Sequence, residues 1–530
     1  MTIIEYLENN ALMYADKLSL AEVSDDTIYH ENSMTWQEFN INANRLSNWL
    51  IAHHITRDCK VAILIKNCIN WLPIYFGILK TGAIAVPLNF NFDVSELQYC
   101  IELAECSVII FSTEFLDKIK AIRASSSIRF ICIEVGEHIW QSSEAYNSIL
   151  ESSSKFNPCI YIADEDNAAI YFSSGTTGFP KAILLTHKAL MASAQTEQNH
   201  HQQSNSDNFL ITAPLYHMGA KVHWFGNLVS GGSAVLLNTM SPYRIIEVIS
   251  KKHITIAWLL LPCVQDILDA IDEGDVVLEN YDLRSWRLTH MGAQPIPPEI
   301  MQRWIERFPA QQFDINYGLT EAGGPGCVHL GVDNIHKPGS IGKAGYKWEA
   351  LIVSDEGTPV QNNVVGELIV KGDGIMVEYY KNSEETAKTI KNGWLFTGDM
   401  AYKDKDGFIY LVGRKKDLII SGGENIYPIQ IENFLKTNSA IKDVAVIGVP
   451  NNRLGEIIVA IIEIKPGYQC SKAEMKKFCI SLPPYRRPCK FIFAPILRNA
   501  TGKIQKEKLR EQYLLGSIWM KHHDDSEGLV

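Results

Sequence analysis

Short apolar runs, separated by stretches long enough for a helical crossover, constrain this chain more than any other feature. Val61 to Ile65, Val108 to Phe111, Phe130 to Ile133 and Ala168 to Phe172 form one series; Phe209 to Ala213, Ser233 to Leu237, Ile254 to Leu259 and Trp286 to Met291 form a second. A strand buried on both faces reads as a near-continuous apolar run, and parallel neighbours need a long connection, usually a helix. Each series therefore predicts a parallel, doubly wound sheet, and the two together predict two α/β lobes. Thr35-Trp36-Gln37-Glu38 has the form of a capping box, and Trp36, Phe39, Ala43, Leu46 and Leu50 recur at helical spacing, which predicts a helix from 36 to 53. Trp71 to Val86 is the most membrane-like stretch. Pro73 and Lys80 interrupt it short of the ~20 apolar residues a span requires, so it reads as a buried helix followed by a strand. After Pro338 the texture changes to short strands with Gly and Asp turns, at Ala350 to Val353, Gly366 to Val370 and Phe408 to Val412. This predicts a small β-rich subdomain.

The first series runs directly into Tyr171 to Lys181, Y-F-S-S-G-T-T-G-F-P-K. Gly175 and Gly178 lack a Cβ, so backbone N–H groups there can approach an oxyanion closely. Ser173, Ser174, Thr176 and Thr177 offer hydroxyls and Lys181 a positive charge. That is the composition of a phosphate cradle, although a Ser/Gly-rich turn is also what a linker looks like. It is not a Walker A motif, which started at Gly175 needs Gly where Pro180 stands and Ser or Thr where Ala182 stands.

Charge narrows the partners. The net charge of −11 argues against a nucleic-acid binder with a broad basic face. Residues 417–530 carry +4 and residues 1–416 carry −15, which marks a boundary near 416 and suggests that the smaller part meets an anion. Eleven cysteines without a C-x-x-C pair indicate a reducing cytoplasm, and neither a disulfide framework nor a zinc site. His200-His201 and His522-His523 have no second ligand pair at metal spacing and read as solvated surface histidines. The acidic N-terminus has no basic segment followed by an apolar one, so no export is implied, and no transmembrane segment is expected.

Five motifs then occur in order: the loop at 171–181, I-N-Y-G-L-T-E at 315–321, W-L-F-T-G-D at 394–399, G-R-K-K-D-L-I-I-S-G-G-E-N-I-Y-P at 413–428 and N-A-T-G-K-I at 499–504. Together they resemble the adenylate-forming superfamily, most closely its AMP-forming acyl-CoA synthetases, from about residue 30 to 512. The resemblance implies a large N-terminal domain (1–415) of two doubly wound α/β lobes plus a distorted β-barrel. A small α+β C-terminal domain (416–530) follows on a hinge and rotates between half-reactions.

It also implies roles. Ser173, Ser174, Gly175, Thr176, Thr177, Gly178 and Lys181 hold the β- and γ-phosphates of ATP; Ala182 stands where the family commonly has Gly. Gly292, Ala293, Asn316, Tyr317 and Gly318 border adenine, with Tyr317 stacked on it. Thr320 touches the α-phosphate and Glu321 binds Mg²⁺, a hard cation being the physical reason for a carboxylate beside phosphates. Asp399 accepts from the ribose hydroxyls with help from Arg414, and Lys416 is the hinge. Ser421, Gly422 and Gly423 border the CoA tunnel, Lys503 is the catalytic lysine of adenylation, and His217 stands at the mouth of the acyl pocket. Pro214 to Gly219, P-L-Y-H-M-G, has the form seen in acyl- and aryl-CoA ligases. Phe92-Asp93-Val94-Ser95 spells a substrate-binding F-D-x-S of amino-acid-activating relatives, but it precedes the phosphate loop, which disfavours an amino-acid substrate.

The implied reaction activates a carboxylic acid with ATP to an acyl-adenylate and transfers the acyl group to CoA. Negative charge builds in both steps, so positioned donors and cations are expected and an enzyme nucleophile is not. A stand-alone enzyme loading a carrier protein, a luciferase-like oxygenase and a non-catalytic ATP-binding relative are the alternatives, and a homodimer is possible. The acid is not identified. Its candidate lining is Met218, Lys221, His223, Trp224, Met291, Ala322, Gly323 and Gly324, where Lys221 is either a surface lysine opening a helix or a buried ammonium marking a substrate with a polar far end.

Overall fold

The computed structural model describes residues 1–23, 31–173, 180–238, 241–293, 296–498 and 504–516. By compactness the chain divides into Met1–Ala350 with Ile369–Phe396, and Leu351–Leu368 with Thr397–Val530.

The first apolar series builds an eight-stranded sheet. Its order is Glu378–Tyr379, Lys181–Thr186, Asn167–Ser173, Ile84–Pro87, Lys60–Leu64, Cys106–Ser112, Ile131–Val135, Glu144–Ala145. From Asn167–Ser173 onward all neighbours are parallel. Ala62, Leu64, Ile109 and Phe111 pack on Leu97 and Ile101 of the helix Val94–Ala104 and on Ile119 and Ile122 of the helix Leu116–Ser125. Val61, Ile63, Val108 and Ile110, which alternate with them, are equally buried. Both faces of the sheet are therefore covered, which is why these strands read as unbroken apolar runs.

The second series builds a nine-stranded sheet, in the order Lys343–Ala344, Gly324–His329, Gln312–Leu319, Leu288–Gly292, Ile256–Leu260, Asn208–Ile211, Ser233–Leu237, Leu18–Val23, Glu31–Thr35. Leu18–Val23 is a strand the apolar series misses. It joins the second lobe, not the first, parallel to Ser233–Leu237 in the register Leu20↔Ala234. The predicted helix is present at Trp36–Ala52; Thr35 caps it, its side chain accepting from the Glu38 N–H while Glu38 accepts from the Thr35 N–H at 2.8 Å. Trp71–Leu79 is a fully buried helix and Ile84–Pro87 the strand after it. Among the described residues no helix is long and apolar enough to cross a membrane.

The β-rich segment after Pro338 forms a five-stranded sheet that includes Glu349–Val353, Gly366–Lys371, Trp394–Lys403 and Ile409–Arg414. The last part of the chain has its own sheet, in which Ile441–Asn451 and Gly455–Ile464 pair over ten positions. Alternation there is strict. Val444 and Val446 face a core with Ile431, Leu435 and Met475, whereas Ala445 and Ile447 face one with Ile492 and Leu509. Helices Pro428–Lys436 and Lys472–Phe478 thus cover one face and Lys506–Leu514 the other.

Candidate active site

In open parallel sheets, ligands bind beyond the carboxyl ends of the strands. The sequence candidates of the larger unit collect there. Ser173 ends Asn167–Ser173, His217 follows Asn208–Ile211, Gly292 ends Leu288–Gly292, and Thr320 follows Gln312–Leu319.

Ser173 pairs with Lys181 across the start of the returning antiparallel strand, and this pair brackets the proposed phosphate loop. Ser174, Gly175, Thr176, Thr177 and Gly178 lie outside the described residues. Lys181 Nζ reaches Glu385 Oε1 at 2.5 Å and sits 4.8 Å over the Tyr379 ring. The Tyr379 hydroxyl donates to Glu321 Oε1 at 2.9 Å. One side chain therefore joins the lysine of the first lobe to the carboxylate of the second. Burial, and then the Glu321 carboxylate, push the Tyr379 phenol up, so it stays a donor. Sequence reasoning missed both Tyr379 and Glu385. Neither lies in a motif, and only the pairing of Glu378–Tyr379 with Lys181–Thr186 brings Tyr379 to the site.

Parallel pairing of Leu288–Gly292 with Gln312–Leu319 puts the proposed adenine-binding residues side by side. A Cβ on Gly318 would come within 2.2 Å of the Gly324 carbonyl, so that position requires glycine, and one on Gly292 would come within 2.8 Å of Asn316 Oδ1 and press on that side chain. Ala293 holds φ at 66°. Thr320, Glu321 and Ala322 form a single 3₁₀ turn, and the Met376 N–H fixes the Glu321 carbonyl at 2.8 Å.

Of the residues proposed for the acid, His217 is the N-cap residue of the helix Met218–Ser230, and Met218 with Val222 meets Gly324. Met291 is fully buried in its strand. Lys221 is not a surface lysine. It has no exposed area, its Nζ donates to the carbonyls of Leu215 and His217, the latter at 3.1 Å, and it lies 4.7 Å from the Tyr171 ring centroid and 4.8 Å from that of Trp71. Burial holds its pKa well below the ordinary lysine value. Trp224 stacks on Phe39 and meets Phe76 edge-on, which places it in an aromatic core and not against Gly323 and Gly324. Asp93 caps the helix Val94–Ala104, accepting from the Glu96 N–H at 2.8 Å and the Ser95 hydroxyl at 2.7 Å, so the apparent F-D-x-S is a local cap.

The reading of His200-His201 as solvated histidines is overturned. The His201 side chain is fully buried, donating from Nε2 to Asp314 Oδ2 at 2.7 Å, with Nδ1 3.2 Å from Glu197 Oε2. Burial opposes its charge, but the two carboxylates override that and raise its pKa to about 9. His200 is half-buried and stacks on His329 with ring centroids 4.1 Å apart. The error came from treating adjacent histidines as a pair, when the helix His187–His201 turns one of them inward. His522 and His523 lie outside the described residues.

In the smaller unit, Asp399 and Arg414 are register partners on adjacent strands, with Arg414 Nε 2.9 Å from Asp399 Oδ1. Lys416 lies in the 3₁₀ turn Lys415–Asp417, its Nζ 2.8 Å from Glu507 Oε1. Gly422 and Gly423 link Ile419–Ser421 to Glu424–Ile426 with φ of 60° and 86°, the two left-handed residues of a tight hairpin, and Ser421 pairs with Glu424. Lys503 lies outside the described residues.

Residues 7–380 match the family described as AMP-binding enzyme, and residues 430–503 match the AMP-binding enzyme C-terminal domain. The chain is 29% identical over 484 residues to the long-chain-fatty-acid–CoA ligase FadD13 of Mycobacterium tuberculosis, covering 91% of this chain and 93% of that one. It is 30% identical over 546 residues to the putative acyl-CoA synthetase YngI of Bacillus subtilis, covering 96% and 97%. Among solved structures, the anthranilate CoA ligase AuaEII in complex with anthranoyl-AMP superposes with a TM-score of 0.89 at 26% identity, covering 98% of both chains.

Proposed function

We propose, from the premise that this chain belongs to the AMP-binding enzyme family and is an AMP-forming acyl-CoA synthetase, that its named residues divide the labour of two half-reactions. In the first, a carboxylate oxygen of the acid attacks the α-phosphorus of ATP, and pyrophosphate leaves. In the second, the CoA thiolate attacks the acyl carbonyl carbon and AMP leaves. Lys181 and the loop 173–178 hold the departing phosphates, and Thr320 contacts the α-phosphate. Tyr317 stacks on adenine, and Asp399 with Arg414 takes the ribose. Glu321 suits a hard divalent cation, since Tyr379 already orients one of its oxygens by a hydrogen bond and leaves the other for a metal. Mg²⁺ would there neutralise the phosphates against the carboxylate.

The observation that carries this reading is the Lys181–Tyr379–Glu321 connection, which joins two motifs distant in sequence into one group. Domain boundaries at 415/416, a hinge at Lys416, the CoA tunnel at Ser421–Gly423 and catalysis by Lys503 belong to the same proposal. For the acid, Lys221 supports a substrate without a second carboxylate, because its Nζ already donates to the Leu215 and His217 carbonyls. The test is a hydroxylamine-trapping screen over short, long-chain, aromatic and dicarboxylic acids. Acid-dependent hydroxamate with matching pyrophosphate release is expected from monocarboxylic acids; nucleotide binding without trapping by any acid would mean a non-catalytic relative.

A further inference from the structure

Six buried side chains form a polar centre distinct from the nucleotide site. Glu197 and His201 come from the helix His187–His201 and His223 from the helix Met218–Ser230. His290, Asp314 and His329 come from the strands Leu288–Gly292, Gln312–Leu319 and Gly324–His329. All six side chains have no exposed area.

Three ring nitrogens converge on one carboxylate oxygen. Glu197 Oε2 lies 2.8 Å from His223 Nδ1, 3.2 Å from His201 Nδ1 and 3.3 Å from His290 Nδ1, and the Nδ1 atoms of His223 and His290 are 3.0 Å apart. Protons alone satisfy this arrangement poorly. If both Nδ1 atoms carry hydrogen toward the carboxylate, two N–H groups confront each other; if one does not, its lone pair faces the carboxylate oxygen. The Nε2 atoms of His223 and His290 have no hydrogen-bond partner either, so neither ring gains by turning its donor outward. A cation accepting a lone pair from each atom removes the conflict.

The dimensions suit a small tetrahedral ion. Bonds of ~2.0–2.1 Å give ligand–ligand edges of about 3.3 Å, and an ion at that distance from Glu197 Oε2, His223 Nδ1 and His290 Nδ1 sits about 1 Å out of their plane. His201 lies outside this three-atom group: its Nδ1, 3.2 Å from the same oxygen, carries a proton toward it. Its Nε2–H goes to Asp314, so the ring ties Glu197 to that second carboxylate. Asp314 is committed there, since Oδ2 also takes the His329 Nδ1–H at 2.7 Å and Oδ1 the Gly331 N–H at 2.8 Å.

We propose that Glu197, His223 and His290 bind a divalent transition-metal ion, zinc by the character of the donors, as a cross-link between two helices and a strand. Two imidazoles and one carboxylate suit zinc and not Mg²⁺ or Ca²⁺, which prefer oxygen. The site is separate from Glu321. His223 shares its helix with Met218 and His290 adjoins Met291, so the ion would fix the floor on which the acid rests.

The test uses full-length protein from zinc-supplemented growth, freed of any affinity tag and gel-filtered without chelator. Elemental analysis should give one zinc per chain, and cobalt-grown protein should show the visible bands of tetrahedral Co²⁺. Glu197→Gln and His223→Gln should lose the metal, while the double variant His522→Ala/His523→Ala should keep it. Substoichiometric zinc in the wild type, an octahedral cobalt spectrum, or loss of metal in the His522/His523 variant overturns the proposal. Wild-type stoichiometry and spectrum decide even if the core variants fail to fold.

Discussion

Two lysines of the larger unit each sit beside aromatic rings, and their surroundings differ in every other respect. Lys181 is about a quarter exposed, leans over Tyr379 and is paired with Glu385, itself partly exposed. Lys221 has no exposed area, and its Nζ meets two backbone carbonyls and the faces of Trp71, Tyr75 and Tyr171. The first is a charge on loan. A carboxylate at the surface can release it to an arriving phosphate at small cost, because exposed ion pairs contribute little. The second is fixed, its Nζ committed to the backbone of Leu215 and His217 at the start of the helix Met218–Ser230. A cation that serves the reaction should be found near water with an exchangeable partner; one that serves the architecture should be found dry with its donors committed.

The sharpest extension of this comparison is Lys503, proposed as a charge delivered in one half-reaction. Lys503→Ala should lower adenylation by about 10² to 10³, or ~3 to 4 kcal/mol, and leave thioester formation from synthetic acyl-AMP and CoA little changed. Single-turnover measurement of both steps decides, and equal losses would make Lys503 a structural residue like Lys221.

Next in size is His187, an interior base with no exposed area and no hydrogen-bond partner on either ring nitrogen. Burial lowers its pKa to about 4, against opposing pulls from Asp166 and Asp164 and a small lowering by Arg57. The unfolded chain takes up this proton below about pH 6.5 and the folded chain does not. The stability His187 contributes is therefore complete above pH 6.5 and lost as pH falls toward 4, about 3 kcal/mol in all. His187→Phe should flatten the denaturation midpoint against pH by one proton over that window; an unchanged slope would place the acid sensitivity elsewhere.

Lys181→Met should reduce kcat/KM for ATP by ~1.5 to 3 kcal/mol, the worth of a charge-assisted hydrogen bond, without moving Tm. A fall in Tm with unchanged ATP kinetics would break the contrast from that side. Lys221→Met should do the reverse. Two buried carbonyls lose their donor at ~1 to 3 kcal/mol of stability, and KM should shift together for all acids while KM for ATP stays put. A rise in KM confined to acids with a second polar end would make Lys221 a substrate contact.

What could be read from the sequence follows the same division. The residues proposed to face the nucleotide were legible as positions because each motif is contiguous and sits at a strand end, where Ser173, Gly292 and Thr320 are found. Lys181–Tyr379–Glu321 was only half legible, since Tyr379 enters through a two-residue strand with no motif. The histidine centre was not legible as a whole, because its members come from five elements and share no motif. Two signals were available. Glu197 and His201 are four apart on one helix, and Asp314 stands between the apolar Phe313 and Ile315 of a strand. Leu18–Val23 escaped notice because a polar residue interrupts it near each end, while its partner Ser233–Leu237 is remote in sequence.

The central claim is that this site joins an acid to CoA through an adenylate. It is tested most directly by incubating the purified chain with ATP, Mg²⁺, free CoA and the acids that give hydroxamate, and measuring nucleotide and thioester together. The account predicts AMP and acyl-CoA in equal amounts, with pyrophosphate and no ADP. AMP release that stays independent of CoA, with the acyl group never reaching the thiol, would contradict it.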